Sequence, residues 1–357
     1  IYAERSNMGS LEDFNVRSVE KLTDDSVTLM YLFHLEPTGF IIVPSDDRVT
    51  PMLAYGFDHP FVIDNMNSNT AWMLDSYKNM VKKTIDMGES ATERINAQWQ
   101  KYMTGDELNI RNRDMKGPLL ISHWNQSGAW NDYCPGGTSC DGDEVPSGCV
   151  AVSMSAIMHY WKYPTTGSGD NSCYCGGWGT QYANFGDAFY DYAAMGDAEY
   201  GSDAASYLVW HAAVAVNMDY DCEGSGAQVT GGYPSALYAL ENNFLYKDNI
   251  YTSYRSSSSD SQWINYLVAE IDNNRPMIYV GYNDEGGHAW NCDGYDDEMF
   301  HMNWGWGGSE DGWFSVTGSD DPNGWASGIA LINIQPEELN RPNLRLTTYT
   351  SNETSGD

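Results

Sequence analysis

The amino-acid sequence predicts an α+β protein made of two modules. Three observations support this prediction. The first hundred residues have strand patterns followed by helical patterns, and the segment 104–117 has the polar, Gly-Pro-terminated composition of a linker. Beyond that linker, helical patterns come first and strand patterns come last. With 357 residues, the chain is long enough for two separate cores.

The first module is predicted to contain a hairpin and two helices. Residues 27–35 and 40–43 are rich in apolar and β-branched residues, and they flank the turn-prone sequence Glu36-Pro-Thr-Gly39. Residues 70–87 and 91–103 have apolar side chains at helical spacing. The order of these patterns is therefore strands first and helices second.

The linker sets the expected domain boundaries. Residues 1–116 form the first module, 117–335 the second, and 336–357 a polar C-terminal tail. Two arginines and a lysine within 111–116 make the linker a candidate site of proteolysis.

The second module is predicted to end in an antiparallel meander. Residues 165–203 are rich in Gly, Asp and Tyr and are expected to be mostly loops. Helical patterns cover residues 149–161, 204–217, 233–244 and 261–273. Five strand patterns separated by turn clusters cover residues 277–282, 288–293, 299–304, 312–316 and 328–333.

Charge narrows the possible partners. The net charge of −32 argues against nucleic acids and anionic membranes. Residues 1–116 carry 12 basic and 18 acidic side chains, whereas residues 117–357 carry 6 and 32, so the less acidic module could dock on the other. No apolar run reaches the roughly 18 residues of a membrane-spanning helix, so no membrane insertion is expected.

Seven cysteines lie beyond the first 116 residues. With Cys149 set aside, the other six could form three disulfides in an oxidising compartment, in pairings that the sequence leaves open. A zinc site is an alternative, although the cysteine spacings do not match the usual pairs. Its ligands would be Cys134, Cys140, Cys173 and Cys175.

Cys149 is the candidate nucleophile. It begins an uncharged, apolar helical pattern that ends before Tyr163-Pro164. A thiol at a helix N-terminus lies near unpaired N–H groups and the positive end of the helix dipole, which lower its pKa. The alternative is a cysteine that is merely packed beside a buried helix.

A nucleophilic thiol needs a base, a group that orients the base, and donors for the oxyanion. His288 follows two glycines at the start of a strand pattern, 139 residues after Cys149, within the roughly 130–150 typical of papain-like proteases. Asn303 and Trp304 are the candidates for orienting it, and the sequence does not decide between them. Gln126, 23 residues before Cys149, could supply an amide donor to the oxyanion.

Four motifs in order make the second module similar to the streptopain family. They are Trp124-Asn-Gln-Ser-Gly-Ala-Trp-Asn131, Ser147-Gly-Cys149 with the helix after it, Gly287-His-Ala-Trp-Asn-Cys-Asp-Gly294, and Phe300-His-Met-Asn-Trp-Gly-Trp-Gly-Gly308 followed by Asp311-Gly-Trp-Phe314. The first module, with Gly39-Phe-Ile-Ile-Val-Pro-Ser-Asp-Asp47, resembles that family's propeptide. Ala129-Trp130 and the cysteines beyond Cys149 depart from the family pattern.

The resemblance implies a papain-like, two-lobed catalytic domain preceded by an α+β propeptide. It implies a secreted bacterial cysteine endopeptidase that is made as a zymogen, acts on proteins and peptides, and is inhibited by its own propeptide. The start at Ile1, without Met, fits prior removal of a signal peptide. A monomer without cofactor or metal is expected.

The resemblance also assigns roles to individual residues. Cys149 is the nucleophile, His288 the base and acid, and Gln126 the oxyanion donor, with Asn303 and Trp304 as support. Expected substrate contacts are Gly287, Thr230 and Trp306. Two alternatives are a catalytically silent binding or adhesin module with the same fold, and a papain-like transferase or amidase.

Overall fold

The structure, a computed structural model, describes most of both modules. The described residues are 14–64, 66–88, 90–104, 114–136, 140, 144–196, 201–283, 286–317 and 328–337. Most of the expected linker, at 105–113, and nearly all of the expected tail lie outside these ranges. Within them, no helix combines the length and the apolarity that a membrane-spanning helix needs.

The described part of the first module has four strands and two helices. The strands are β1 (Asn15–Asp24), β2 (Val27–Glu36), β3 (Phe40–Pro44) and β4 (Ala54–Gly56), and the helices are α1 (Ser68–Met87) and α2 (Glu93–Met103). The structure confirms the β2–β3 hairpin and both helices. The sequence analysis missed β1, which pairs with β2 along most of its length but buries one residue, Leu22. A strand so exposed lacks the alternating apolar pattern that reveals strands in sequences.

Helix α1 begins and ends at residues suited to those positions. The Asn67 side chain accepts a hydrogen bond from Thr70 N, and Gly88 closes the helix with a left-handed backbone conformation. Its buried face includes Trp72 and Tyr77. That face packs into a core shared with the second module.

The second module places its helices before most of its strands, as predicted. The helices are α3 (Cys149–Trp161), α4 (Tyr192–Met195), α5 (Asp203–Ala215), α6 (Ala236–Asn242) and α7 (Asp260–Asp272). The strands are β5 (Met115–Lys116), β6 (Asp170–Tyr174), β7 (Thr180–Asn184), β8 (Tyr251–Tyr254), β9 (Met277–Asn283), β10 (Gly286–Asp296), β11 (Met299–Asn303), β12 (Gly312–Ser315) and β13 (Ile329–Ile332).

Two predictions for this module were wrong in part. Residues 165–203, expected to be mostly loops, contain the β6–β7 hairpin and helix α4. Strands β9 to β12 form the expected meander, but β13 returns to the other side of β9 and pairs with β8, a strand that the sequence analysis missed. All four β8 residues have polar or aromatic side chains that are exposed or half-buried, so its apolar signal is weak.

The two modules share one antiparallel sheet. Its order is β1-β2-β3-β4-β12-β11-β10-β9-β13-β8, and β4 pairs with β12 through Tyr55–Trp313 and Ala54–Phe314. The Tyr77 hydroxyl donates to the carbonyl oxygens of Leu53 and Ser315 beside this junction. One core contains buried side chains of both modules, including Trp72 and Trp290, whose ring centroids are 5.4 Å apart. The first module therefore extends the sheet and core of the second.

Disulfide bonding is confirmed, but the structure has one disulfide and not the three that six cysteines could form. Cys140 and Cys222 form one disulfide, and five buried cysteines are free. Because Cys140 is disulfide-bonded, the alternative zinc site lacks one of its four expected ligands. Within the described ranges, no cluster of three or more side chains is arranged to hold a metal ion. The free cysteines are Cys134, Cys149, Cys173, Cys175 and Cys292.

Candidate active site

Cys149 is the first residue of α3, as predicted from the sequence. The residue before it, Gly148, has φ of 92°. A Cβ atom at Gly148 would lie 2.5 Å from the Met218 sulfur and 3.0 Å from Ser225 O, so this tight entry into the helix requires glycine. The N–H groups of the first helical turn lack intrahelical acceptors and point toward the Cys149 side of the helix end.

The Cys149 thiol is buried and lies against strand β10. Its Sγ accepts a hydrogen bond from Ala289 N at 3.5 Å, which places the residue after His288 beside the sulfur. Burial raises the pKa of the Cys149 thiol, while hydrogen bonds from the backbone N–H groups of Ala289 and Val150 oppose that shift. The expected lowering of this pKa at the helix N-terminus is therefore outweighed by desolvation in this state of the chain.

Gln126 is bonded through its carbonyl oxygen to Ser147, two residues before Cys149. Ser147 N donates to Gln126 O at 2.8 Å, and Ser147 Oγ lies 3.3 Å from the same oxygen. The Gln126 side chain is 4% exposed, and its Nε2 atom is buried without a hydrogen-bond partner among the described residues. Buried amide groups are normally paired, so an unpaired one beside a candidate nucleophile suits a donor whose acceptor comes with a ligand.

His288 lies on β10 opposite Gly281 of β9. Together with Gly287, it lines a cavity of about 390 Å³ that also reaches Val150 in the first turn of α3. The structure thus brings the candidate base and the start of the nucleophile's helix to one cleft. Thr230 is adjacent in sequence to the lining residue Val229 but is not itself among the described residues that line this cavity.

The other sequence-predicted residues lie in the turn after β11. Asn303 Nδ2 donates to Ser122 O at 2.8 Å, and its Oδ1 accepts from Gly305 N at 3.2 Å. Trp304 is fully buried, with its ring centroid 5.0 Å from that of Trp290. Trp304 is thus part of the shared core.

Trp306 is half-buried at the edge of that core. Its Nε1 atom is buried and has no hydrogen-bond partner among the described residues.

Two residues of α1 contact the strands that carry this site, and the sequence analysis identified neither as functional. The Asn69 side chain is fully buried, and its Nδ2 lies 3.0 Å from both Ala289 O and Trp304 O. The Trp72 ring lies over Gly281, where an added Cβ would be 2.6 Å from three ring atoms. The first module therefore contacts both Ala289, which follows His288, and Gly281, which pairs with His288 across the sheet.

Comparisons with known proteins agree with this arrangement. A model of the peptidase C10 family matches residues 124–314, and a model of the Spi protease inhibitor family matches residues 3–81. Streptopain from Streptococcus pyogenes is 28% identical over 94% of this chain and 87% of its own length. The thiol protease/hemagglutinin PrtT from Porphyromonas gingivalis is 27% identical over 91% of this chain and 39% of its own length.

Two solved structures from Prevotella intermedia are also similar. A prointerpain A fragment superposes with a TM-score of 0.71 at 22% identity, covering 90% of this chain and 99% of that one, which shows the shared fold. Active interpain A, a cysteine protease, has a TM-score of 0.52 at 26% identity and covers 61% of this chain and 94% of its own. The two-module α+β architecture is thus that of a propeptide joined to a papain-like domain.

Proposed function

Because this chain belongs to the peptidase C10 family and is a cysteine peptidase with an N-terminal inhibitor domain, we propose that it is a secreted, latent endopeptidase. Cys149 is the nucleophile, His288 the general base and acid, and Gln126 an oxyanion donor. The observation that carries this assignment is the convergence of the thiol, the unpaired Gln126 amide and the His288 strand at one helix N-terminus.

In the proposed reaction, His288 accepts the proton of the Cys149 thiol, and the thiolate sulfur attacks the carbonyl carbon of a peptide bond. The oxyanion accepts hydrogen bonds from Gln126 Nε2 and from the Cys149 backbone N–H. His288 then donates its proton to the leaving amine. Water, deprotonated by His288, hydrolyses the thioester and releases the second product.

We infer that latency depends on the position of the His288 strand. Asn69 holds the carbonyl group of Ala289, and Trp72 fills the space over Gly281. None of the described residues that line the cavity at His288 comes from the first module. These contacts favour a model in which the first module inhibits by fixing β10 in an unproductive position, and not by filling the cleft. Burial also raises the pKa of the Cys149 thiol, which favours its protonated form.

Activation follows, in this proposal, from cleavage in the linker 104–117. Strand β5, in the described part of this linker, pairs through Lys116 with Tyr295 of the second module. A cut before Asp114 would therefore leave β5 attached to the catalytic module. We keep the division predicted from the sequence, with 1–116 as propeptide, 117–335 as catalytic domain and 336–357 as tail, except that β5 stays with the catalytic domain. The Cys140–Cys222 disulfide supports an oxidising, extracellular location.

The test follows the purified chain under reducing conditions by mass and by cleavage of denatured casein. We expect processing and casein cleavage in the unmodified chain, and neither in Cys149→Ala or His288→Ala. Cys292→Ala is the matched control, since Cys292 is also a buried free thiol but lies on β10 and has no proposed role in catalysis. Persistence of full-length chain without casein cleavage, even after trypsin has nicked the linker, would contradict the proposal.

A further inference from the structure

The cavity beside His288 has walls that are apolar in part and polar in part. It lies between the first turn of α3, strands β9 and β10, and the segment 216–234. Its volume of about 390 Å³ is ample for one long side chain. The apolar lining residues are Val150, Val216, Ala227, Val229, Pro234, Val280 and Ala289.

Asp219 is the one carboxylate among the described residues that line this cavity. Its backbone is fixed by two hydrogen bonds with Gly226, from N to O at 2.9 Å and from O to N at 3.0 Å. Its side chain is exposed and forms no hydrogen bond or ion pair with the described residues. The Cys140–Cys222 disulfide anchors the same loop three residues further on. The carboxylate therefore stands on a restrained loop without a protein partner.

We propose that this cavity binds an arginine or lysine side chain of the peptide substrate, and that Asp219 determines this preference. The inference rests on the proposed function and names the substrate class of that site. The long aliphatic stem of either side chain suits the valine-rich walls, while its cationic end stays near water at the rim. A carboxylate there gives a charge-assisted contact that an uncharged aliphatic side chain cannot form.

The charge distribution of the whole chain supports the same preference. The net charge is −32, and residues 117–357 carry 6 basic against 32 acidic side chains. A negative potential around a cleft concentrates cationic ligands there. Among the acidic side chains that the structure describes, Asp219 differs from the others because it lines the cavity beside His288.

The test compares arginine with citrulline, its uncharged isostere, in otherwise identical fluorogenic peptides. In each pair of peptides, arginine or citrulline occupies one position, and the pairs together cover the positions from three residues before to two residues after the scissile bond. With enzyme processed from the full chain, we expect kcat/KM to be about threefold to fivefold higher for arginine at one position. That ratio should approach one in Asp219→Asn and in 0.5 M NaCl.

Glu223→Gln is the matched control, because Glu223 lies on the same loop but does not line the cavity. Its arginine-to-citrulline ratio should equal that of the unmodified enzyme. Hydrolysis with a ratio near one at every position, or a ratio that Asp219→Asn leaves unchanged, would overturn this inference and leave the proposed function standing. Failure to hydrolyse these peptides and casein alike would overturn both.

Discussion

Asn69 Nδ2 lies 3.0 Å from Ala289 O, so a propeptide side chain is bonded to the residue next to the proposed catalytic base. The backbone N–H of the same residue, Ala289, donates to the sulfur of Cys149. One residue of β10 thus contacts both the propeptide and the proposed nucleophile. A shift of β10 during activation would therefore break the bond between Asn69 and Ala289 and alter the contact between Ala289 and Cys149.

Replacing Asn69 with alanine should shorten the latent phase. The substitution removes two hydrogen bonds from a fully buried amide, a loss of about 1–3 kcal/mol in the contact between the modules. We expect autoprocessing of the full chain to become about tenfold faster, as measured by the disappearance of full-length mass with time. Asn96→Ala, on the exposed face of α2, should process at the unmodified rate. Equal rates for all three proteins would contradict a restraining role for Asn69.

The hydroxyl of Tyr77 should stabilise the junction between the two modules. It is fully buried and donates to Leu53 O and Ser315 O, one carbonyl from each module. Tyr77→Phe should lower the free energy of unfolding of a Cys149→Ala background by about 1–2 kcal/mol, measured by urea denaturation. Tyr102→Phe, in half-buried surroundings on α2, should have little effect. A drop of the same size in both variants would show that the Tyr77 hydroxyl makes no special contribution.

Local pattern predicted most of the helices, including the one that begins at Cys149, because burial of one face leaves a periodic signal in the sequence. Helix α3 begins at Cys149 as expected, and the β2–β3 hairpin follows its turn sequence. The contacts that we propose to cause latency leave no such signal. Asn69 bonds to residues 220 and 235 positions away, and an asparagine in a first helical turn is usually read as a capping residue.

Long-range packing also explains why the pKa of Cys149 and the number of disulfides differ from what the sequence led us to expect. The position of Cys149 at a helix N-terminus is visible in the sequence, but the burial that raises the pKa of its thiol is a property of the folded chain. Likewise, Cys140 and Cys222 are separated by 82 residues, and cysteine count alone could not distinguish one disulfide from three. Both outcomes depend on tertiary packing.

Gln126→Ala should impair catalysis without destabilising the fold. Gln126 Nε2 is buried without a partner among the described residues, so its removal costs no described hydrogen bond. If it binds the oxyanion, kcat should fall by about 10²–10³ while KM changes little. Steady-state kinetics on the processed enzyme measure the loss of kcat, and a thermal melt checks that the stability of the fold is unchanged. Gln181→Ala, on β7 and outside the lining of the cavity, should retain kcat, and a comparable loss there would argue against a specific role for Gln126.

Stability should fall as the pH drops from about 6.5 to about 4, in part because of His211. Burial lowers the pKa of His211 to about 4, from 6.5 in an exposed chain. Since the unfolded chain binds the proton more tightly, this residue's contribution is present above pH 6.5 and is lost at about 1.4 kcal/mol per pH unit below it. The Tyr190 hydroxyl lies 2.9 Å from His211 Nδ1. His211→Gln, which keeps a polar group there, should give a flatter urea-denaturation profile between pH 4 and 6.5, and an unchanged slope would contradict this account.

Counting thiols tests the cysteine pairing directly. Five cysteines are free and two are joined as Cys140–Cys222. Iodoacetamide added to the unfolded, unreduced chain should therefore attach five carbamidomethyl groups, and prior reduction should raise this number to seven. Because the free thiols are buried, the folded chain should react more slowly than the unfolded one. Cys222→Ser supplies the matched control, since it should give six groups without reduction; one group without reduction, which would mean three disulfides, would contradict the structure.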